Sequence, residues 1–206
     1  QSSIVFASAI LARTKKIKVG LSVLALPHYN IKLLVKQLED LQNLGKGRLM
    51  IGVGPGALES DANYLGINHK NRPELFSKNF SDLKNQLAIS PVFKDFDSRN
   101  IFSTILSPSP LKVSKLVQEG YSVLSSNFTN NYHYKTHYEC ISRGLNDNKN
   151  KSRWHIIYNA IPLNNEVLNI NSIDIIKNTF KYIYEKLGKN GNLIMLPNTK
   201  TNENLK

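Results

Sequence analysis

Cysteine is almost absent from this chain: Cys140 stands alone in 206 residues. That excludes an internal disulfide framework and any multi-cysteine metal site, and it fits a reducing compartment, the cytoplasm, with Cys140 as a small packing residue. Long apolar runs are missing too. None approaches the roughly 18 residues that a membrane-spanning helix needs, so no membrane span is expected. Acidic residues are few beside basic ones, 15 against 27, which leaves a formal charge of +12. Such an excess raises the question of an acidic partner. The basic residues are scattered, however, over Lys15, Lys16, Lys18, then Lys32, Lys36, Lys46 and Arg48, then Lys149, Lys151 and Arg153. No aromatic-interleaved stripe joins them, and charge alone is unspecific, so nucleic acid is not expected as a partner. Gln1 opens the sequence without a basic segment followed by an apolar core, so no signal peptide is expected, and a start without Met suggests a partial reading frame.

What is present is ordinary globular composition, 41% hydrophobic and 20% charged, in a length that suits one well-buried domain. The expected organisation is a single domain over 1–197 and a polar tail over 198–206. Two periodicities alternate along it. Ile4 to Ala12 reads as a helix with a basic end at Arg13 to Lys16, which suits the negative pole of the helix dipole. Ile17 to Leu26 is a β-rich, nearly all-apolar strand that Pro27 stops. Asn30 is the expected N-cap of a helix with apolar residues at Ile31, Leu34, Leu38 and Leu41, and Gly45 its stop. Arg48 to Val53 is the next strand, and residues 72–87 read as a helix. Ile101 to Leu106 is a strand, followed by a helix from about Leu111 to Glu119. Tyr121 to Ser126 and Trp154 to Ile161 complete five strands, with helices expected around Tyr134 to Arg143 and from Ser172 to Leu187. Regular β-α alternation means a parallel sheet with helical crossovers, a barrel or an open doubly wound sheet.

Three segments carry candidate chemistry. Gly52, Gly54 and Gly56 form a G-x-G-x-G run straight after a strand, where glycine permits close backbone approach or positive φ. The dinucleotide fingerprint needs a different spacing, since Ala57 holds the place of its third glycine, and a plain tight βα turn is the stronger local reading. Asp61, just beyond, either points into the site or caps the next turn. Ser107-Pro108-Ser109-Pro110 reads as a helix start with Ser109 as N-cap and Pro110 at the first helical position. Free backbone donors and the positive dipole end there suit a phosphate, with Ser107 and Ser109 adding hydroxyls; an ordinary capped helix is the alternative. His28 lies just past a strand end, on the face where parallel barrels bind ligands, and is either a hydrogen-bonding or proton-relay group or a half-buried loop residue. His133 and His137 are four apart but lack a third ligand, and no metal site is expected.

The stretch from Ala7 to Gly66, ASAILARTKKIKVGLSVLALPHYNIKLLVKQLEDLQNLGKGRLMIGVGPGALESDANYLG, strongly resembles the luciferase-like monooxygenase family, and GVGPGALESDA its limonene-monooxygenase-type branch. The resemblance continues through SPSP, EGYSVLSS and SRWHIIYNAI. It implies a partial TIM-like (β/α)8 barrel of the bacterial-luciferase type with about five parallel strands, lacking the family's first two strands and its last. It implies a flavin-dependent monooxygenase-type oxidoreductase using reduced FMN and oxygen on a small organic substrate. The alternatives are a deazaflavin-dependent oxidoreductase, or an inactive flavin-binding homologue that self-associates as a homo-oligomer through open sheet edges. By position, Ser107 and Ser109 would contact the flavin phosphate, Gly54 and Gly56 would lie beside the phosphate or ribityl chain, and Leu26 and His28 near the ring. No acid, base or nucleophile is assigned. The sequence departs from the family's pattern at Pro110, where a glycine is usual, at Ile31 in place of proline, and at Pro162 to Asn164.

Overall fold

The computed structural model describes residues 2–105, 110–125, 143, 154–159 and 191–196. The chain forms two compact units, residues 1–104 and 105–206.

The first unit begins with α1 (Ser3–Arg13), whose N-cap Ser2 accepts from the Val5 amide. It buries Ile4, Ala7 and Leu11, one stripe at helical spacing. After it comes β1 (Val19–Ala25), then a 3-10 turn over Leu26–His28 and α2 (Ile31–Gly45). Asn30 caps α2 as expected, its Oδ1 accepting from the Leu33 amide at 3.2 Å. Ile31, Leu34, Leu38 and Leu41 are all buried. The helix ends one residue later than expected: Gly45 is its last residue, and the left-handed turn falls on Lys46 and Gly47.

β2 (Leu49–Gly54) runs parallel to β1, pairing Val19 with Leu49 and Ala25 with Gly54; the register shifts between Leu21 and Leu24, where the Ser22–Val23 peptide is cis. A six-residue helix, α3 (Glu59–Tyr64), follows and was not expected from the sequence. Next come a 3-10 turn over His69–Asn71, α4 (Arg72–Ile89), and two further 3-10 turns at Pro91–Phe93 and Ser98–Asn100. β3 (Ile101–Ile105) then pairs in parallel with β2, Ile51 opposite Ile101 and Val53 opposite Ser103. All three strands point the same way, so their C-terminal ends, and the loops that leave them, share one edge of the sheet. Packing of α1 on α2 and of α2 on α4 closes the helical side.

In the second unit, α5 (Pro110–Gln118) starts on Pro110 as expected and buries Val113, Ser114 and Val117. β4 (Ser122–Ser125), β5 (Trp154–Asn159) and β6 (Gly191–Leu196) run parallel, in the order β4-β5-β6. β6 corrects the expectation of five strands: the described residues contain six. It pairs with β5 over six consecutive residues, from Trp154 with Gly191 to Asn159 with Leu196. Ser107, Ser109, Cys140, His133, His137, most of the helix expected around 134–143, the helix expected from Ser172 and the polar tail lie outside the described residues. No helix among the described residues is long and apolar enough to cross a membrane.

Candidate functional site

The glycine run is shared between a strand and a loop. Gly52 and Gly54 belong to β2, and only Gly56 lies beyond it. Side chains alternate along a strand, so Gly52 and Gly54 face one side while the fully buried Leu49, Ile51 and Val53 face the other. Two of the three glycines are there for packing. A Cβ on Gly52 would stand 2.3 Å from the Leu21 carbonyl oxygen and 2.4 Å from the ring of Phe102, which is itself wholly buried. A Cβ on Gly54 would stand 2.6 Å from Thr104 Oγ1 and 2.9 Å from Val23 Cγ2. Gly56 differs: its φ of +80° is the left-handed region that side chains rarely adopt. A Cβ there would meet Ala25 Cβ at 3.3 Å and His28 Cε1 and Nε2 at 3.4 Å.

The structure therefore brings His28 and Gly56 together, across the ends of β1 and β2. His28 is half-buried at the close of its 3-10 turn. Leu26, predicted to lie near a ligand ring, is fully buried; its side chain belongs to the core, while its main chain fixes the turn that carries His28. The Leu26 carbonyl accepts from the Tyr29 amide at 3.1 Å and from Asn79 Nδ2 at 2.9 Å. Asp61 is an exposed residue within α3 and caps nothing with its side chain.

Two residues that sequence reasoning did not single out hold these loops from α4. Asn79 reaches back 53 residues to the Leu26 turn. Arg72 donates from Nη1 to the Ala57 carbonyl at 3.3 Å, just past Gly56, and the same guanidinium contacts His69 Nε2. No local signal marks either residue, because each partner is distant in sequence.

The sheet also holds polar atoms without partners, one in the middle of β1 and one toward the end of β3. The hydroxyls of Ser22, in β1, and Thr104, in β3, are buried and make no hydrogen bond. A buried hydroxyl left so costs about 1–3 kcal/mol, which a ligand with polar edges would recover. Gly56, the half-buried His28 imidazole and the unsatisfied Thr104 hydroxyl could serve a ligand that carries polar groups. An open groove of about 550 Å³ lies elsewhere, between the start of α2 and α4, lined by Tyr29, Lys32, Lys78 and Asp82 among others. None of the predicted site residues lines it. No group of three or more His, Cys, Asp or Glu side chains suited to a metal is found among the described residues.

Parallel strands joined by helices, with the candidate residues at the strands' C-terminal ends, define a β/α-barrel type of scaffold. Residues 1–80 match the family described as luciferase-like monooxygenase. The chain is 43% identical over 63 residues to limonene 1,2-monooxygenase of Rhodococcus erythropolis, which is 31% of this chain and 16% of that protein. Among solved structures, it is similar to the oxygenating constituent of 3,6-diketocamphane monooxygenase from Pseudomonas putida, in complex with FMN. That match has a TM-score of 0.63 at 14% identity and covers 90% of this chain and 60% of that one. Coenzyme F420-dependent tetrahydromethanopterin reductase from Methanopyrus kandleri matches with a TM-score of 0.55 at 12% identity, over 78% of this chain and 54% of that one. At these identities the likeness shows the fold, a luciferase-like barrel in part. The chain spans less than two thirds of the length of each of these proteins.

Proposed function

We propose that this chain is a flavin-dependent monooxygenase-type oxidoreductase, using reduced FMN and oxygen on a small organic substrate. The observation that carries the proposal is the approach of His28 to Gly56 at the shared C-terminal edge of β1 and β2, in a segment of luciferase-like monooxygenase sequence. The bound flavin would supply the redox chemistry. The protein's part is to bind it, orient it and keep water from it. Gly56 gives the backbone room to come close, Leu26 anchors the turn from within the core, and His28 offers a ring nitrogen at the strand end. Gly54 keeps the β2 edge free of a side chain. Ser107 and Ser109, which precede Pro110 in the sequence, are proposed to hold the flavin phosphate, since a helix N-terminus favours an anion.

Titration of FMN with the purified chain, followed by quenching of flavin fluorescence, tests this. Saturable binding that weakens in Ser109→Ala is expected; no saturable quenching would overturn it. A deazaflavin is the second reading, favoured by the fold's likeness to an F420-dependent enzyme, and the same titration run with coenzyme F420 decides between them.

A further inference from the structure

We infer that Thr104 is a ligand-binding residue of this site, its hydroxyl making a hydrogen bond to a polar atom of the flavin; this rests on the flavin-binding proposal above. Thr104 stands one residue past the Val53–Ser103 pair, at the C-terminal end of β3, the same edge that carries His28 and Gly56. Its Oγ1 is buried and has no hydrogen-bond partner. The space that oxygen fills is the one Gly54 leaves by lacking a side chain. A Cβ there would come within 2.6 Å of Thr104 Oγ1 and 3.5 Å of Thr104 Cγ2. Both branches of the threonine thus lean over Gly54, while the residue as a whole is half-buried.

Valine has the same shape as threonine and suits a strand at least as well, without an orphaned hydroxyl. A site that only needed filling would gain from valine. Rotation about χ1 moves the hydroxyl to the third staggered position and leaves the methyl or the hydrogen over Gly54. A ligand with acceptors on its rim can then collect the hydrogen bond that the free protein lacks. The contact is adjacent to Gly54, which pairs with Ala25, and a Cβ on Gly56 would meet both the Ala25 Cβ and the His28 ring. One continuous row, Thr104, Gly54, Ala25, Gly56 and His28, therefore runs across the ends of the three strands.

The test compares FMN affinity of the full chain with that of Thr104→Val and Thr104→Ser, beside thermal unfolding of each ligand-free protein. We expect Thr104→Val to weaken binding about tenfold, equivalent to about 1.4 kcal/mol, without lowering the midpoint of unfolding. Thr104→Ser should stay within about threefold of the original, as one retained hydrogen bond implies. If the unaltered chain shows no saturable FMN binding, the flavin proposal and this one both fall. If it binds and Thr104→Val binds equally well, the assignment of Thr104 alone is overturned. Equal losses in the valine and serine variants also overturn it, because the hydroxyl would then not be what the ligand reads. Should Thr104→Val fail to fold, the serine variant and Thr104→Ala carry the same comparison.

Discussion

Replacing Arg48 with methionine should destabilise the chain markedly and leave ligand affinity alone. The guanidinium makes four hydrogen bonds: from Nη1 to Thr14 Oγ1 and the Ile17 carbonyl, both at 3.0 Å, and from Nη2 to the Leu11 carbonyl at 2.9 Å and the Leu44 carbonyl at 3.3 Å. Leu11 and Leu44 lie in the last turns of α1 and α2, where carbonyls have no partner within the helix. The positive charge also faces the negative ends of two helix dipoles. A hydrogen bond to a charged group contributes about 1.5–3 kcal/mol. Only the bonds to Thr14 and Leu11 are sheltered from solvent, so about 3 kcal/mol is the reasonable total rather than four times the single value. In a chain of this length each kcal/mol moves the unfolding midpoint by about 2–4 °C, which gives a fall of about 6–12 °C. Methionine keeps the aliphatic stem, so the loss reports the polar contacts. Arg48→Lys should recover only about 1 kcal/mol, because one ammonium keeps the dipole term but cannot span four acceptors. Circular dichroism melts measure both variants. A fall under about 2 °C for Arg48→Met, or a lysine variant equal to arginine, would refute the stapling role. So would a changed FMN affinity in the folded variant, since Arg48 precedes β2 and the strand's length, about 20 Å, separates it from Gly54 and the site.

Two further outcomes are expected. Asn79→Ala should cost about 1 kcal/mol of stability in urea denaturation, the Leu26 carbonyl still accepting from Tyr29, while Asn79→Asp should cost more because a carboxylate cannot donate to that carbonyl; aspartate better tolerated than alanine would count against the contact. Tyr121 is half-buried in the second unit and its phenol is pushed above the ordinary value of 10.0, first by burial and then by the nearby Glu119 carboxylate. A group whose pKa is raised on folding holds its proton more tightly in the native state. The stability linked to it is therefore complete below pH 10 and is lost as pH rises from there toward the native value. Tyr121→Phe should flatten the alkaline fall above pH 10, and an unchanged slope would show that the phenol does not contribute.

What the sequence revealed follows the reach of the interactions involved. Asn30 and the apolar series Ile31, Leu34, Leu38 and Leu41 lie within one helix, so the cap and the buried face of α2 were legible from spacing alone. The strands β1 and β2 were legible as apolar runs ended by Pro27 and the glycines. β6 was not. Its Leu193, Met195 and Leu196 carry little intrinsic strand preference, and what makes them a strand is six residues of pairing with β5, over thirty positions away. α3 has no side-chain cap to announce it, Leu58 holding the N-cap position. Asn79, Arg72 and the orphaned Thr104 hydroxyl are legible only once distant segments meet.

The glycine run shows why a motif can be recognised before its purpose is understood. Spacing of two along a strand places Gly52 and Gly54 on one face, and spacing of two again carries Gly56 past the strand end. The same residue type then answers three separate demands. Gly52 admits the Phe102 ring and the Leu21 carbonyl, Gly54 admits the Thr104 side chain, and Gly56 supplies a positive φ beside His28. What approaches the first two is the protein's own backbone and side chains, not a ligand. A family resemblance carried by such a run therefore testifies chiefly to how neighbouring strands pack. It bears on the cofactor only through the last glycine and the strand-end residues around it, which is where the titrations and the Thr104 variants are aimed.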